Sequence, residues 1–511
     1  MQKNYYAIID IGSNTMRLVI YVQEKAGRLR EVENVKAVAR LRTFLNDRNE
    51  LTEAGIDRLL ETLQSFQDVL TIYKIEDVEC VATATIRQAN NQDEIKDAVK
   101  KNTSFTMRIL SDQEEAFYGY LAVVNSTSIT EGITVDIGGG STEVTYFKDR
   151  ELIEAHSFPF GALTLKEFFS STIPTDEELE QLQKFLTKEF HSLPWLANKE
   201  VPLIAIGGSA RNLVQIDQNI KKYPLAGLHQ YRMYDTDIKE VSNYLVSQKE
   251  KKLAKVEGLS KDRADIIIPA IEVFHSLYQV TQAESFILSR KGLRDGVFYE
   301  KLSEQIGTLL FPNVLEDSIQ ELINDYDLAP KQIMHVQYLT RKLFDSCKQN
   351  GLANFSKQDW MLLKRASYVC NLGEYIDAES SAQHTFYLLA NRTIDGLMHK
   401  ERLKLALIAS YKNKTVFKQF LQPYKSWFLK EEWKKLKYLG SLLKFSYCLD
   451  ATKRQIIQDI HIKVTQKKVI LTLYCVQDWM PEEYQAEKQK KHVEKFIKKD
   501  LELNFVPLKK A

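Results

Sequence analysis

The sequence predicts an α/β protein of two similarly built lobes, followed by an all-α region and a small α+β end. Three observations lead there. Strand and helix signals alternate through the first 310 residues, the pattern of layered α/β domains. Ile9-Asp10-Ile11-Gly12 returns as Val135-Asp136-Ile137-Gly138, 126 positions later, each copy set between two apolar runs. Beyond residue 310 strand signals give way to helical periodicity, and strands return only near the C-terminus. A chain of 511 residues suits three or four domains. The expected divisions are 1–125 and 126–310 for the two lobes, 311–455 for the helical domain and 456–511 for the α+β domain.

The first lobe opens with apolar runs at 5–11 and 16–22 around Gly12-Ser13-Asn14-Thr15, a strand–turn–strand. Thr52 caps a helix beginning at Glu53, with Leu51 and Ile56 as a hydrophobic staple. Residues 78–84 read as a strand, 91–101 as a helix, and 107–110 as a strand feeding a helix over 112–124. The pattern then restarts. Runs at 132–137 and 142–147 flank Gly138-Gly139-Gly140-Ser141. Thr175 and Glu178 form a capping box for a long helix. A strand at 203–206 ends in Gly207-Gly208-Ser209. Further on, helices are expected at 314–325, 331–348, 357–371, 381–396, 400–411 and 430–446. The end domain reads as strands 460–465 and 468–474, a helix 481–499 and a strand 501–506.

Composition excludes several classes. No stretch approaches 18 uncharged apolar residues, so no membrane span is expected. The N-terminal run carries a charge and lacks a small-residue cleavage site, unlike a cleavable leader. Five scattered cysteines form neither a disulfide framework nor a zinc motif, and a reducing cytoplasm is the expected compartment. The net charge of +2 conceals an imbalance: residues 311–511 carry 33 Lys and Arg against 23 Asp and Glu, leaving the first 310 with 37 against 45. A basic half on an acidic half suits a polyanionic partner, although a solvated lysine-rich surface gives the same count.

The residues able to carry chemistry sit at the strand ends. Gly138, Gly139 and Gly140 permit close backbone approach, and with Ser141 they suit an anion-binding nest. Asp136 and Glu143 offer hard oxygen ligands for Mg²⁺, with Asp10 at the equivalent strand end. Gly12, Ser13, Asn14 and Thr15 form the partner loop, and two such loops across a cleft can hold an oligophosphate from both sides. Ser111 and Glu114 fit a capping box, which occupies Glu114 and leaves Glu115 about 100° further round the helix. Glu115 is then open to a general-base role or to a plain first-turn role. Arg87, just past a strand end, can fork onto a phosphate or pair with a carboxylate. Gly208 and Ser209 make a third small-residue turn, and Arg290, Lys291 and Arg294 cluster around Gly292, with Gly296 following.

Six motifs in order carry a resemblance to the exopolyphosphatase/guanosine pentaphosphatase (Ppx/GppA) family: residues 9–15, 82–89, 111–116, 135–143, 205–210 and 292–300. The resemblance implies the two-lobed actin/hexokinase-like ATPase fold, a duplicated ribonuclease H-like unit. It further implies hydrolysis of a terminal phosphoanhydride with Mg²⁺, and leaves a monovalent cation such as K⁺ open. The family's catalytic glutamate falls on Glu115, its phosphate-binding arginine on Arg87 and its glycine-rich loop on Gly138–Ser141. The later region is similar to the HD-like domain of longer members. His335 and His384 stand where HD-type histidines are expected, but Cys370-Asn371 replaces the central His-Asp pair, so metal chemistry is not expected there.

The expected function is a Mg²⁺-dependent exopolyphosphatase acting on inorganic polyphosphate. Guanosine pentaphosphate is the alternative substrate, and a kinase of the same fold or a non-enzymatic polyphosphate-binding protein the remaining rivals. A homodimer is expected, with no membrane partner and no specific nucleic acid.

Overall fold

The computed structural model describes residues 5–23, 29–75 and 77–508; Met1–Asn4 of the N-terminal run lies outside the described residues. The chain divides into two compact units, one of Met1–Tyr223 with Leu228–Val314, the other of Pro224–Gly227 with Leu315–Ala511.

The first unit contains two sheets of matching design. The five-stranded sheet runs β3-β2-β1-β4-β5, with β1 Tyr5–Ile11, β2 Thr15–Gln23, β3 Leu29–Val38, β4 Val78–Ala82 and β5 Met107–Ile109. The second is formed by β6 Gly132–Ile137, β7 Thr142–Lys148, β8 Glu151–Phe158, β9 Leu203–Ile206, β10 Arg232–Met233 and β11 Phe286–Leu288. Its order is β10-β11-β9-β6-β7-β8. Apart from β10, the two orders superpose strand for strand. The register repeats as well: Asp10 faces Arg17 and Ile11 faces Met16, just as Asp136 faces Glu143 and Ile137 faces Thr142.

Each sheet has its own apolar core. Ile9, Ile11, Leu18 and Ile20 pack against Leu59, Leu63 and Phe66 of the helix Glu53–Tyr73 in one lobe. In the other, Ile133, Val135 and Val144 pack with Leu213 and with Ile271 and Phe274 of the helix Ile267–Thr281. That helix is buried nearly all round, with only Gln279 exposed and His275 part-buried, which removes the polar face that makes helical periodicity visible. Thr52 caps the helix Glu53–Tyr73 as expected, its hydroxyl accepting from the Gly55 amide at 3.3 Å.

Two expectations need correction here. The strand expected at 78–84 stops at Ala82, because Thr83 donates its amide to Ile11 O at 3.1 Å and its carbonyl then accepts from Arg87 N at 3.0 Å. This begins the short helix Ala84–Gln88. Each lobe also has a third strand, β3 and β8, where only a strand pair was read. Both edge their strand trios, and their polar sequences hide the alternation.

The lobes are tied by helix packing. A methyl on Gly296, in the helix Leu293–Ile306, would collide with the carbonyl of Tyr118 in the helix Asp112–Val124. Tyr118 Oη donates to Glu300 Oε2 at 2.6 Å, so the missing side chain at 296 brings two polar partners together.

The second unit is helical: Pro330–Gln349, Lys357–Tyr368, Ser381–Asn391, His399–Ala409, Lys414–Leu421 and Lys430–Cys448 are its principal helices. The helices expected over 357–371 and 381–396 end earlier, at Tyr368 and Asn391, since a 3₁₀ turn at Leu372–Tyr375 and an extended Arg392 follow them. The unpredicted helix Lys414–Leu421 is capped by Asn413, whose Oδ1 accepts from Thr415 N and Val416 N at 2.9 and 3.0 Å. A three-stranded sheet closes the chain, β12 Ile457–Val464, β13 Lys468–Cys475 and β14 Asp500–Pro507 in that order. The helix Met480–Ile497 crosses between the parallel pair β13 and β14. Among the described residues no helix is long and apolar enough to cross a membrane.

Gly296→Ala should overpack the interlobe helix contact and lower stability by about 1–3 kcal/mol. Urea denaturation checks this, and an unchanged midpoint would show that the two helices are not in contact.

Candidate active site

The two repeated turns have the same internal bond. Gly12 N donates to Thr15 O at 3.1 Å, and Gly138 N donates to Ser141 O at 2.9 Å. The turns also meet. A methyl on Gly139 would lie 2.8 Å from Ser13 Cβ, and one on Gly140 3.6 Å from Ser13 Oγ. Gly161 packs behind the glycine loop, where a methyl would fall within 2.7 Å of the Gly138–Gly140 backbone. From that side Ala162 N and Leu163 N donate to the carbonyls of Gly138 and Gly139, both at 3.0 Å. The carbonyls are thus occupied from behind. The amides of Gly139 and Gly140 find no protein acceptor among the described residues, which leaves them available to an anion.

A cleft of about 1000 Å³ opens between these turns. Gly12, Ser13, Asn14, Thr15, Gly138, Gly139, Ser141 and Gly208 line it, together with Asp10, Glu115, Asp136 and Glu143. Ser13 and Asn14 are buried, and neither polar atom of the Asn14 amide has a hydrogen-bond partner. Such a group is costly unless something else satisfies it.

Glu115 reaches the cleft as the helix cap predicts. Ser111 Oγ accepts from Glu114 N at 3.2 Å, and Glu114 Oε2 accepts from Ser111 N at 2.8 Å. Glu114 is held there and also meets Arg108 at 2.5 Å. Glu115, one position on, turns inward. Burial raises its proton affinity well above that of an ordinary glutamate, Glu143 and Asp136 add to the rise, and Arg87 opposes it. Burial, then Asp10, push Asp136 up to about 6. Burial is also the main cause pushing Glu143 up to about 7, with Asp136 adding to it. Ser157 Oγ donates to Glu143 at 2.9 Å.

Arg87 is not on the cleft lining. Its Nη1 donates to Glu115 Oε2 at 2.8 Å and to Leu110 O at 3.0 Å, and its Nη2 pairs with Asp112 at 2.5 Å. Of the two roles open to it from sequence, phosphate fork or carboxylate partner, the guanidinium takes the second here and holds two carboxylates. Ser209 is likewise occupied: it lies inside the helix Gly207–Ile220 and accepts from Arg263 Nη1 at 3.1 Å. Gly140 lies beside Ser13 rather than on the cleft lining.

The three carboxylates expected to hold metal share the cleft, but no group of three or more His, Cys, Asp or Glu residues converges to hold an ion among the described residues. Asp10 is committed elsewhere, bonded to Arg294 Nη1 at 2.8 Å. Asp136 is backed by Gly207, where φ is +86° and a methyl would lie 2.5 Å from Asp136 Oδ1.

Five arginines line the cleft: Arg17, Arg211, Arg263, Arg290 and Arg294. Only the last pair had been singled out from sequence. Arg17 gave a usable signal, a cation inside the apolar run Met16–Val22. Arg211 and Arg263 gave none, because chain folding alone brings them in. Burial pushes Arg211 down to about 10, and Arg17, Arg290, Arg294 and Arg263 push it further the same way. Arg294 pairs with Asp10, whereas the groups that act most on Arg211 are all arginines. Like charges held together in a cavity favour a polyanionic ligand.

Two turns offering amides, a buried carboxylate of high proton affinity and an arginine cluster together suit phosphoryl chemistry. The chain belongs to the Ppx/GppA phosphatase family, whose family model matches residues 19–305; the model of that family's domain III matches residues 314–501. Members are hydrolases of phosphoric anhydrides. The chain is 25% identical over 492 residues to a guanosine-5'-triphosphate,3'-diphosphate pyrophosphatase of Pseudoalteromonas translucida, covering 94% of this chain and 93% of that protein. Among solved structures it is similar to the Aquifex aeolicus Ppx/GppA family member, with 28% identity, a TM-score of 0.53, and coverage of 60% of this chain and 99% of that one. It shares its fold with an exopolyphosphatase from Cytophaga hutchinsonii, at 21% identity, a TM-score of 0.54, and coverage of 59% and 98%.

The raised affinity of Glu143 for its proton has a measurable sign. Its folded value, about 7, exceeds that of the unfolded chain, so the native state is favoured at low pH and loses that advantage between roughly pH 4.5 and 7. Without divalent metal, Glu143→Gln should be more stable than the parent at pH 8 by on the order of 1–3 kcal/mol. The gap should close below pH 4.5. Thermal denaturation across pH checks this, and a pH-independent gap would contradict it.

Proposed function

We propose that the protein is a Mg²⁺-dependent exopolyphosphatase that releases terminal orthophosphate from inorganic polyphosphate. The observation that carries this reading is the cluster of five arginines in one cleft with Glu115. A substrate with a phosphate at every repeat can engage several cations at once. The excess of cations in residues 311–511 supports a long polyanionic substrate.

The amides of Gly139 and Gly140, with Ser13 and Asn14, hold the terminal phosphate. Glu115 orients a water and takes its proton as the water oxygen bonds to the terminal phosphorus. The bridging P–O bond breaks, and the shortened chain leaves as an anion stabilised by the arginines. A carboxylate of high proton affinity is a better base than an ordinary one. Arg87 aligns Glu115 and limits that rise. Asp136 and Glu143, buried and mutually repelling, fit a hard divalent cation that draws its remaining ligands from phosphate and water. When bound, Mg²⁺ supplies charge neutralisation at the phosphate oxygens. The helical unit keeps an HD-like arrangement without the His-Asp pair and acts as a binding surface. We further propose a cytoplasmic homodimer, in which two basic units lengthen the polyanion track.

A second reading has its own support. The Pseudoalteromonas relative, matched over almost its whole length, bears the name of a guanosine-5'-triphosphate,3'-diphosphate pyrophosphatase. The same cleft can take a 5'-triphosphate end.

Glu115→Gln should lower kcat at least about 100-fold while changing KM less than about threefold. Arg211→Met should raise KM for polyphosphate about tenfold or more. Phosphate release from long-chain polyphosphate and from guanosine pentaphosphate, measured side by side with and without Mg²⁺, decides the substrate. A kcat/KM favouring the nucleotide would replace the first reading with the second. Near-normal turnover by Glu115→Gln would remove Glu115 from the mechanism.

A further inference from the structure

The helical unit contains two adjoining cavities that phosphoanhydride hydrolysis does not use. Their volumes are about 130 and 330 Å³, and Cys370, Asn371, Glu374 and Tyr447 line both. Together they suit a small organic ligand. Burial pushes the Cys370 thiol up to about 12, so it is a neutral part of the wall at ordinary pH.

The smaller chamber is built for an anion. The helix Ser381–Asn391 begins at its wall, and Ser380 supplies no side-chain cap. The amides of Ser381 and Ala382 meet no acceptor among the described residues, whereas Gln383 N and His384 N both donate to Ser380 O. Asp377 Oδ2 accepts from Ser380 N at 2.7 Å, which leaves the Ser381 and Ala382 amides as the pair that favours phosphate. A second observation points the same way. Ser410 lines the chamber, is 3% exposed, and its hydroxyl has no partner. Lys412 and Lys444 share the wall with the carboxylates Glu374 and Glu379, but neither lysine pairs with a carboxylate among the described residues; Lys444 lies over the Tyr447 ring at 5.2 Å.

The larger chamber is aromatic. Tyr326, Tyr368 and Tyr375 line it, and the Tyr326 and Tyr375 rings meet edge to face at 5.3 Å. Asn371 stands between the chambers with its Nδ2 unpartnered. Glu374 there accepts only long bonds, from Tyr447 Oη at 3.2 Å and Lys453 Nζ at 3.4 Å. Apolar flat walls with a free amide donor and a carboxylate acceptor suit a heterocyclic base.

We propose that these joined chambers bind a purine nucleotide, with its phosphates on Ser410, Lys412, Lys444 and the Ser381 helix start, and its base among the tyrosines beside Asn371. The site lies wholly within the helical unit, and the nucleotide acts there as a ligand that is not consumed.

The test is hydrogen–deuterium exchange on the entire 511-residue chain carrying Glu115→Gln, which removes the proposed base, titrated with GDP and separately with pyrophosphate. GDP should protect segments 370–384 and 408–412, and pyrophosphate should need at least about tenfold more to do so. The Lys412→Glu/Lys444→Glu double variant should lose that protection while segment 131–145 of the cleft responds to ligand as before. Ser410→Ala, a smaller change, should weaken protection severalfold if the double variant folds poorly. No protection of 370–384 by millimolar GDP, protection that survives the substitutions, or equal potency of pyrophosphate would overturn the proposal. The response at 131–145 reports on the cleft separately, so failure here leaves the phosphatase reading standing.

Discussion

The site depends on one steric constraint. Two turns, one at the end of β1 and one at the end of β6, abut at Gly139 and Ser13 with no space for a side chain between them. Everything else in the cleft is arranged around that contact. Gly161 and the start of the short helix behind it hold the glycine loop by its carbonyls, so the amides are left to face outward. The matching bonds Gly12 to Thr15 and Gly138 to Ser141 give the two turns the same shape, and duplication thus supplies both halves of the grip from one local design.

Duplication did not preserve the chemistry of the two halves. Arg17 and Glu143 occupy equivalent positions opposite Asp10 and Asp136, so one lobe contributes a cation where the other contributes an anion. In the first lobe the aspartate is neutralised by Arg294. In the second, Asp136 makes no ion pair of its own among the described residues; Asp10 repels it, Arg263, Arg294 and Arg211 attract it from further off, and Gly207 backs it with a left-handed backbone that favours glycine. The cleft is therefore divided into an arginine side that suits phosphate and a carboxylate side that suits a cation and a proton. Glu115 lies where the second of these begins, with Arg87 holding it. That division follows from which charges are buried next to which, and not from any single motif.

Much of this was legible in sequence, for local reasons. The Ser111–Glu114 cap settles within four residues which glutamate is tied down, and the structure agrees. The repeated Asp-Ile-Gly turns are equally local. What could not be read is what depends on tertiary approach. Arg17, Arg211 and Arg263 come from three separate segments, and Arg87 could be placed past its strand but not assigned to Glu115 and Asp112. The strands β3 and β8 were missed because polar edge strands lack a clean two-residue alternation, and Ile267–Thr281 because burial on nearly every side erases the helical one. Asp10 was expected beside metal because its twin Asp136 sits at the same strand end; only the fold reveals the arginine already bound to it.

The abutment itself can be tested without touching a charged group. Gly139→Ala adds one methyl against Ser13 and Leu163, with contacts of 2.8 and 2.9 Å, whereas Gly140→Ala meets nothing closer than 3.6 Å. Phosphate release by the two variants, both confirmed folded, measures whether the turns act together. A drop in kcat/KM of about 100-fold or more for Gly139→Ala, against less than about threefold for Gly140→Ala, is the expected result for a displaced phosphate grip. Equal, near-normal activity in both variants would contradict a site formed by the two turns.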